Sequence, residues 1–408
     1  MAPSTDSHDE CGSMYSMSSS RFEDDEDNVG YGDGLNEEPE TEDDFKDKLM
    51  AAIDATFVKA SKTRVTALEA IRKAFISRYA IDFIAERRAT FCDILERCIK
   101  KGKGEEQGSA ALLAAIICIS LGSGEDTDAI FIELKSQMLT ILMDKSVGPI
   151  VRSQFASTLG LCCFISGSDC ESCDEILESF QTLFSASYFK GNGVAPNHGT
   201  DITALHVACL YAWTLVCTTQ PVSYVAQFAD KYLTKLIELL DSSDVELRIA
   251  AGETIAVIFE ICREGRMDIS PGIGLTDKLR QLATDSQKFR AKKDRRKQRS
   301  SFRDVLKYIE DDEIPSETVK FGRERLFIDS WCRKRQYEAF CNVLGSGMNL
   351  HLKQNDLLRD VFELGTPLPI DEPVHKMSKF QKKMENIASF KARTKSRGKQ
   401  RDKKSDVW

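Results

Sequence analysis

Cys170 and Cys173, in SGSDCESCDE, stand at the Cys-x-x-Cys spacing that places two thiols for zinc or for redox exchange. A structural zinc site needs a second pair, and none follows at suitable spacing. The pair reads as two thiols on a loop. Of the thirteen cysteines, Cys92, Cys98, Cys118, Cys162, Cys163, Cys209, Cys217 and Cys262 fall inside apolar helical patterns, where a free thiol behaves as a small hydrophobe. The five histidines (His8, His198, His206, His351, His375) pair with no nucleophile pattern, and His206 falls on an apolar helix face. There is no P-loop, no Gly-x-Ser-x-Gly and no Gly-x-Gly-x-x-Gly after a strand. The sequence therefore predicts no catalytic residue, no metal ligand, no cofactor and no small-molecule substrate. The expectation is a non-enzymatic protein.

Cations are the second kind of group with suggestive spacing. Between Lys288 and Arg303 stand nine basic residues and one acid, Asp294. Lys288, Lys292, Arg295, Arg299 and Arg303 recur at intervals of four, three, four and four, a basic stripe on a helix, widened by Arg290, Lys293, Arg296 and Lys297. The C-terminal tail repeats the arrangement. Lys391, Lys395, Lys399 and Lys403 form one four-residue row and Arg393, Arg397 and Arg401 another, with Lys404 beside them. Residues 376–408 hold twelve basic groups against Glu385, Asp402 and Asp406. Residues 1–44 are the opposite, with fifteen carboxylates and Arg21 as the lone arginine. The net charge of −8 hides this segregation.

A chain of 408 residues, 42% apolar and 29% charged, is long enough for two or three soluble globular domains. Residues 1–44 hold too little apolar surface to offset the entropy of ordering and read as disordered. From Phe45 to about Glu264 five segments share a polar residue followed by small or apolar ones three, four and seven positions on. They begin at Arg64, Gln107, Arg152, Asp201 and Arg248, at intervals of 43, 45, 49 and 47. Spacing of three, four and seven is one face of an α-helix. A helical period of about 40–47 residues marks HEAT or armadillo units. The small residues on that face (Ala110, Ala111, Ala114, Ala156, Gly252) let stacked helices approach closely, and such a solenoid offers an extended surface to a macromolecular partner.

The fold expected is thus all-α: a HEAT/armadillo-like α-solenoid over 45–285, then the basic helix and a small, mostly helical C-terminal domain over 286–365. Within the latter, Val319–Phe321 and Leu326–Ile328 around Gly322 read as a short hairpin, followed by helices around SWCRKRQYEAFCNVL and NDLLRDVFEL. A proline-containing linker spans 366–377, and the basic tail 378–408. The longest strongly apolar stretch, Ala110 to Leu121, is too short to span a bilayer. The acidic start MAPSTDSHDE has no apolar h-region. The expected location is cytosol and nucleus, with no membrane partner.

KKDRRKQR alone would satisfy a nuclear localisation pattern. Two facts favour RNA. The stripe persists over four helical turns, and the tail's like-charged rows would repel one another as a free helix until phosphates neutralise them. A tail of this kind folds on binding. No RNP, KH or zinc-finger pattern accompanies the charge, so backbone and shape recognition is expected rather than base readout.

The runs RIAAGETIAVIFE (248–260), LATDSQKFRAKKDRRKQRSSFRDVL (282–306), KFGRERLFIDSW (320–331), VLGSGM (343–348), LLRDVFELG (357–365) and FKARTKSRGKQRDKKSDV (390–407) closely resemble the interferon-related developmental regulator family. KKGKGEEQ (100–107) points to the second of its two vertebrate types. The resemblance implies two functions. One is a translational repressor that occupies the P and E sites of inactive ribosomes and lays its C-terminal helix, here Phe390–Lys404, in the mRNA channel. The other is a nuclear co-regulator of transcription in differentiation, acting with co-repressor proteins. The RNA contacts carried over are Lys288–Arg303 and the tail.

Overall fold

The structure is a computed structural model that describes residues 41–368 apart from 168–169, 268, 273, 285–290 and 315. The expected disorder of residues 1–40, the linker beyond Leu368 and the basic tail lie outside the described residues. The described residues up to Gly365 belong to one compact unit.

The helices form pairs. α1 (Glu42–Ala55) packs on α2 (Ser61–Ser77); after the short α3 (Ile81–Glu86), α4 (Arg88–Lys101) packs on α5 (Glu105–Leu121). The series continues with α6 (Glu125–Met143) on α7 (Pro149–Ser166), α8 (Cys170–Phe184) on α9 (Thr200–Cys217), and α10 (Val222–Leu239) on α11 (Val245–Glu264). It ends with α12 (Leu275–Thr284) on α13 (Lys292–Asp311). The second helices of successive pairs stack on one another as an inner row, α2–α5–α7–α9–α11–α13. This is an all-α, solenoid-like fold. Three residues of the acidic N-terminal stretch, Glu42, Asp43 and Asp44, already belong to α1, where Thr41 and Asp44 form a reciprocal cap and the carboxylates suit the helix dipole.

Composition sorts the two rows. In α11 fifteen of twenty residues are buried, whereas in α10 eight of eighteen are. A helix apolar on every side must be enclosed on every side. α9 has the length and hydropathy to cross a membrane, but 67% of it is buried in the inner row. Close stacking uses the small residues. A Cβ on Gly160 of α7 would stand 2.7 Å from the Cβ of Ala212 in α9, and one on Gly252 would stand 2.7 Å from the Phe302 ring of α13.

The polar residue that opens each repeat has a common task. Arg64 donates to the carbonyls of Val58 and Lys59, Gln107 to Ile99, Arg152 to Leu142 and Arg248 to Ser242. Each accepting carbonyl lies at or just past the end of the preceding outer helix, where the last carbonyls lack helical partners. Asp201 cannot donate, and His198 bonds the Ala186 carbonyl instead (3.0 Å). Gln298 of α13, fifty residues after Arg248, donates to Leu282 at the end of α12, with Ser301, Phe302 and Val305 at the three, four and seven positions. The basic helix is thus a sixth inner helix.

Beyond it, β1 (Glu317–Phe321) and β2 (Glu324–Ile328) form an antiparallel hairpin, longer than Val319–Phe321 with Leu326–Ile328. Then α14 (Trp331–Leu344), a 3-10 turn at Gly345–Gly347, α15 (Met348–Gln354) and α16 (Asp356–Val361) run back along the inner row. α14 touches α11, α9, α7 and α5; the 3-10 turn reaches α2, and α16 touches α5. This corrects the expectation of an open solenoid surface, because residues 331–362 cover the inner row. Buried polar groups anchor the strap. Glu260 of α11, 2% exposed, accepts from the first backbone amides of α14, Trp331 (2.8 Å) and Cys332 (2.6 Å). His351 bonds the Phe75 carbonyl of α2, and Asn355 donates to the Ile119 carbonyl of α5. Arg359 grips both carboxylate oxygens of Glu324 and the Leu352, Leu364 and Gly365 carbonyls.

The Cys-x-x-Cys pair belongs to helix α8, not to a loop. Cys173 is buried, its Sγ 3.2 Å from the Sγ of Cys163 on α7, a contact that lowers its pKa below the usual thiol value; the side chain of Cys170 lies outside the description.

Two predictions follow from the anchors. Glu260→Ala leaves two buried amides without acceptors and should destabilise the protein by about 2–3 kcal/mol. Amide exchange should accelerate in 331–362 more than in α7; equal acceleration would show that Glu260 does not anchor the strap. The second concerns pH. Burial, then His198 and Arg152, lower the His206 pKa to about 4, and burial also lowers that of His351. Both are depressed below the ordinary value of about 6.5, so the unfolded chain takes up protons first as pH falls. Stability should fall from pH 7 to pH 5, by about 2 kcal/mol from His206 alone. His206→Asn should flatten the melting-temperature profile over that window, and an unchanged slope would contradict the assignment.

Candidate nucleic-acid interface

α13 packs on α11 and α12 through Phe302, Val305, Tyr308 and Ile309, all buried. Helical periodicity then turns other positions outward. Lys292, Lys293, Arg296 and Arg303 are exposed, and Lys307 continues the row, paired with Glu313 (2.9 Å). The remaining stripe residues are not solvated as their spacing implies. Lys297 binds both carboxylate oxygens of Glu246 on α11 (2.6 and 2.8 Å). Arg299 is half-buried and donates to the Arg295 carbonyl, and the Nε of Arg295 is buried without a hydrogen-bond partner. The physical reason is that α13 rests against two helices, so a wider arc of its surface turns inward than its apolar residues alone indicate. Lys288 and the tail cations Lys391, Arg393, Lys395, Arg397, Lys399, Arg401, Lys403 and Lys404 lie outside the described residues.

Cations, three of them exposed, crowd one end of the helix. Lys292, Lys293, Arg295 and Arg296 stand in or beside the first turn with Asp294 as the one acid, and Ala291 at the N-cap has no side-chain acceptor to offer. The helix dipole is positive at that end too. Four cations there repel one another and the dipole, and an anion relieves both. The other end carries Glu310, Asp311, Asp312 and Glu313. The arrangement attracts phosphate along the face from Lys292 to Arg303; the acids lie beyond it, where Arg280, Arg263 and Lys307 pair with Glu310, Asp312 and Glu313.

A buried ionic cluster fixes α13 against α11 and α14. Glu253 accepts from Ser301 of α13 (3.1 Å), Tyr211 (3.1 Å) and Lys334 of α14 (3.3 Å). Burial raises its pKa, but Lys334 and Arg335 outweigh burial and keep the carboxyl below its usual range. Glu338, held by Arg335 at 3.3 Å, moves the other way, raised by burial and then by Glu253. Burial opposes the charge on Lys334, yet Glu253 and Glu338 hold its pKa above the ordinary lysine value. The space among Tyr211, Glu253, Trp331, Lys334 and Glu338 is about 10 Å³, room for no more than a water. It is an internal tie. Spacing alone missed Lys307, although it stands four residues beyond Arg303; it missed the Glu253 cluster because its members come from four distant segments.

Stacked helix pairs closed by a cationic helix define a helical-repeat protein. The chain belongs to the interferon-related developmental regulator family. The profile described as Interferon-related developmental regulator (IFRD) matches residues 11–310, and that of the Interferon-related protein conserved region matches residues 355–405. Interferon-related developmental regulator 1 of Homo sapiens is 44% identical over 376 residues, covering 91% of this chain and 83% of that protein. Interferon-related developmental regulator 2 of Mus musculus is 42% identical over 381 residues, covering 92% and 86%. An uncharacterised protein of Schizosaccharomyces pombe is 27% identical over 199 residues, covering 43% of this chain and 44% of its own length. Identities of 44% and 42% do not single out the second type, to which KKGKGEEQ had pointed.

Proposed function

We propose that this regulator is a non-enzymatic, ribosome-binding repressor of translation. Lys292, Lys293, Arg296 and Arg303 of α13 engage rRNA phosphates, and the basic tail, residues 378–408, enters the mRNA channel of an inactive ribosome. The observation that carries the reading is the crowding of exposed cations at a helix end whose dipole is already positive. The reading of the tail rests on its sequence. Like-charged rows remain unfolded until phosphates offset the cost of ordering them. Fully helical, residues 378–404 would reach about 40 Å, a suitable length for a plug. Cytoplasm is the working location, with a nuclear pool. The alternative, a nuclear co-regulator that presents the solenoid to co-repressor proteins, is weakened because the strap covers the inner row.

The test uses purified ribosomes. Charge reversal of Lys292, Lys293, Arg296 and Arg303 should weaken binding tenfold or more at low salt, and each lost phosphate contact should lower the log–log salt slope by roughly 0.7–0.9. The variant's melting temperature should stay near wild type, since exposed substitutions usually act within about 0.5 kcal/mol. Removing residues 377–408 should abolish the preference for vacant over mRNA-loaded ribosomes while leaving some affinity. In cell extracts the protein should co-sediment with monosomes but not polysomes. Unchanged affinity of the charge-reversed variant, or a purely nuclear complex insensitive to RNase, would defeat the proposal.

A further inference from the structure

The β1–β2 hairpin presents one face that the fold does not use. Its register pairs Thr318 with Phe327 and Lys320 with Arg325 on the outward side, and all four are exposed. Phe321, Leu326 and Ile328 point inward and are buried. Two like charges directly opposite one another destabilise an antiparallel pair, and a two-stranded hairpin has little stability to spare. Neither Lys320 nor Arg325 has an ion-pair partner among the described residues. The carboxylates Glu317 and Glu324 fall on the inward register, and Glu324 is held by Arg359 (2.7 and 3.2 Å). The turn adds further positive charge. Arg323 is exposed, and Lys353 of α15 lies across Gly322, its Nζ 3.2 Å from where a Cβ would stand. Two positions along the strand from Arg325, on the same face, Phe327 is 54% exposed. Apolar rings of that size are ordinarily buried.

An exposed ring within one nucleotide's reach of a like-charged cation pair matches the chemistry of an unpaired nucleotide. The base stacks on the aromatic face, and the phosphate relieves the cation repulsion. We propose that the outward face of the hairpin is a second RNA contact, which takes a single-stranded nucleotide with its base on Phe327 and its phosphate on Lys320 and Arg325. This inference rests on the RNA-binding reading of α13 and gives it a ligand preference. The α13 cations read phosphate in any strand, whereas the hairpin requires an unstacked base. Bonds are neither made nor broken; the discrimination lies between unpaired and paired RNA.

The experiment measures binding of a labelled short single-stranded RNA, and of the corresponding duplex, to the full chain over a range of salt. Phe327→Ala should weaken single-strand binding about fivefold or more, the low end of base–aromatic stacking. It should leave the salt slope and duplex binding unchanged, and Phe327→Trp should restore the affinity. The double variant Lys320→Ala, Arg325→Ala should weaken binding and lower the single-strand slope by about 0.7, the loss of one phosphate contact. Melting temperatures within a few degrees of wild type exclude misfolding as the cause. The inference is overturned if these variants bind RNA like wild type while charge reversal on α13 weakens binding. It is also overturned if they lose ribosome binding with RNA affinity intact, which assigns the hairpin to a protein partner. Conversely, loss of binding in the hairpin variants with no effect of the α13 variant contradicts the α13 reading and leaves the hairpin assignment standing.

Discussion

Enclosure of the inner helices is the constraint from which the rest of the structure follows. α5, α7, α9 and α11 are apolar around most of their circumference, and a helix of that kind cannot leave a side in water. The outer helix of each pair covers one side and the neighbouring inner helices cover two more. The fourth side is closed by α14, so the chain after the hairpin is part of the solenoid's core. The buried polar anchors are consequences of this closure. A strap that ends helices inside a protein must satisfy their terminal amides and carbonyls there. Glu260, His351, Asn355 and Arg359 do so.

With the inner row covered, the surface left for a large partner lies on the ends and outer faces. α13 is the last inner helix and has no further neighbour in the row. Terminal repeats need a polar outer face for solubility, so exposure of charge on α13 has a purely structural component. Solubility does not require charge of one sign, nor its concentration at the helix end where the dipole opposes it. Several cations elsewhere in the body are paired, as in Arg88–Asp126, Lys135–Glu175 and Lys278–Asp241. The imbalance on the N-terminal half of α13 is the feature on which the proposed RNA contact rests.

How much of this was legible in the sequence depends on the range of the interaction. The repeats were, because spacings of three, four and seven are set within one helix and recur at 43 to 49 residues. The task of the leading polar residue was not, since Arg152 or Arg248 acts on a carbonyl of the preceding helix. The sixth copy escaped notice because its lead residue, Gln298, is hidden among the cations of KKDRRKQR. Periodicity marks the strap only as two more helices and a turn. Its docking depends on single polar residues that meet partners up to 276 positions away, and no local pattern marks such a pair. The basic stripe was half legible. Spacing identified the helix and its charge, but only packing on α11 and α12 separates Lys292, Lys293, Arg296 and Arg303 from Lys297, which Glu246 occupies.

The central claim is that the solvent face of α13 meets ribosomal RNA. Site-specific photo-crosslinking tests it most directly, with a photoreactive residue at position 293 or 296 and a control at position 313, beyond the acidic end of the same helix. In the complex with vacant ribosomes, positions 293 and 296 should crosslink to rRNA and position 313 should not. Crosslinks from 293 and 296 to proteins alone, or rRNA crosslinks of equal yield from 313, would contradict the account.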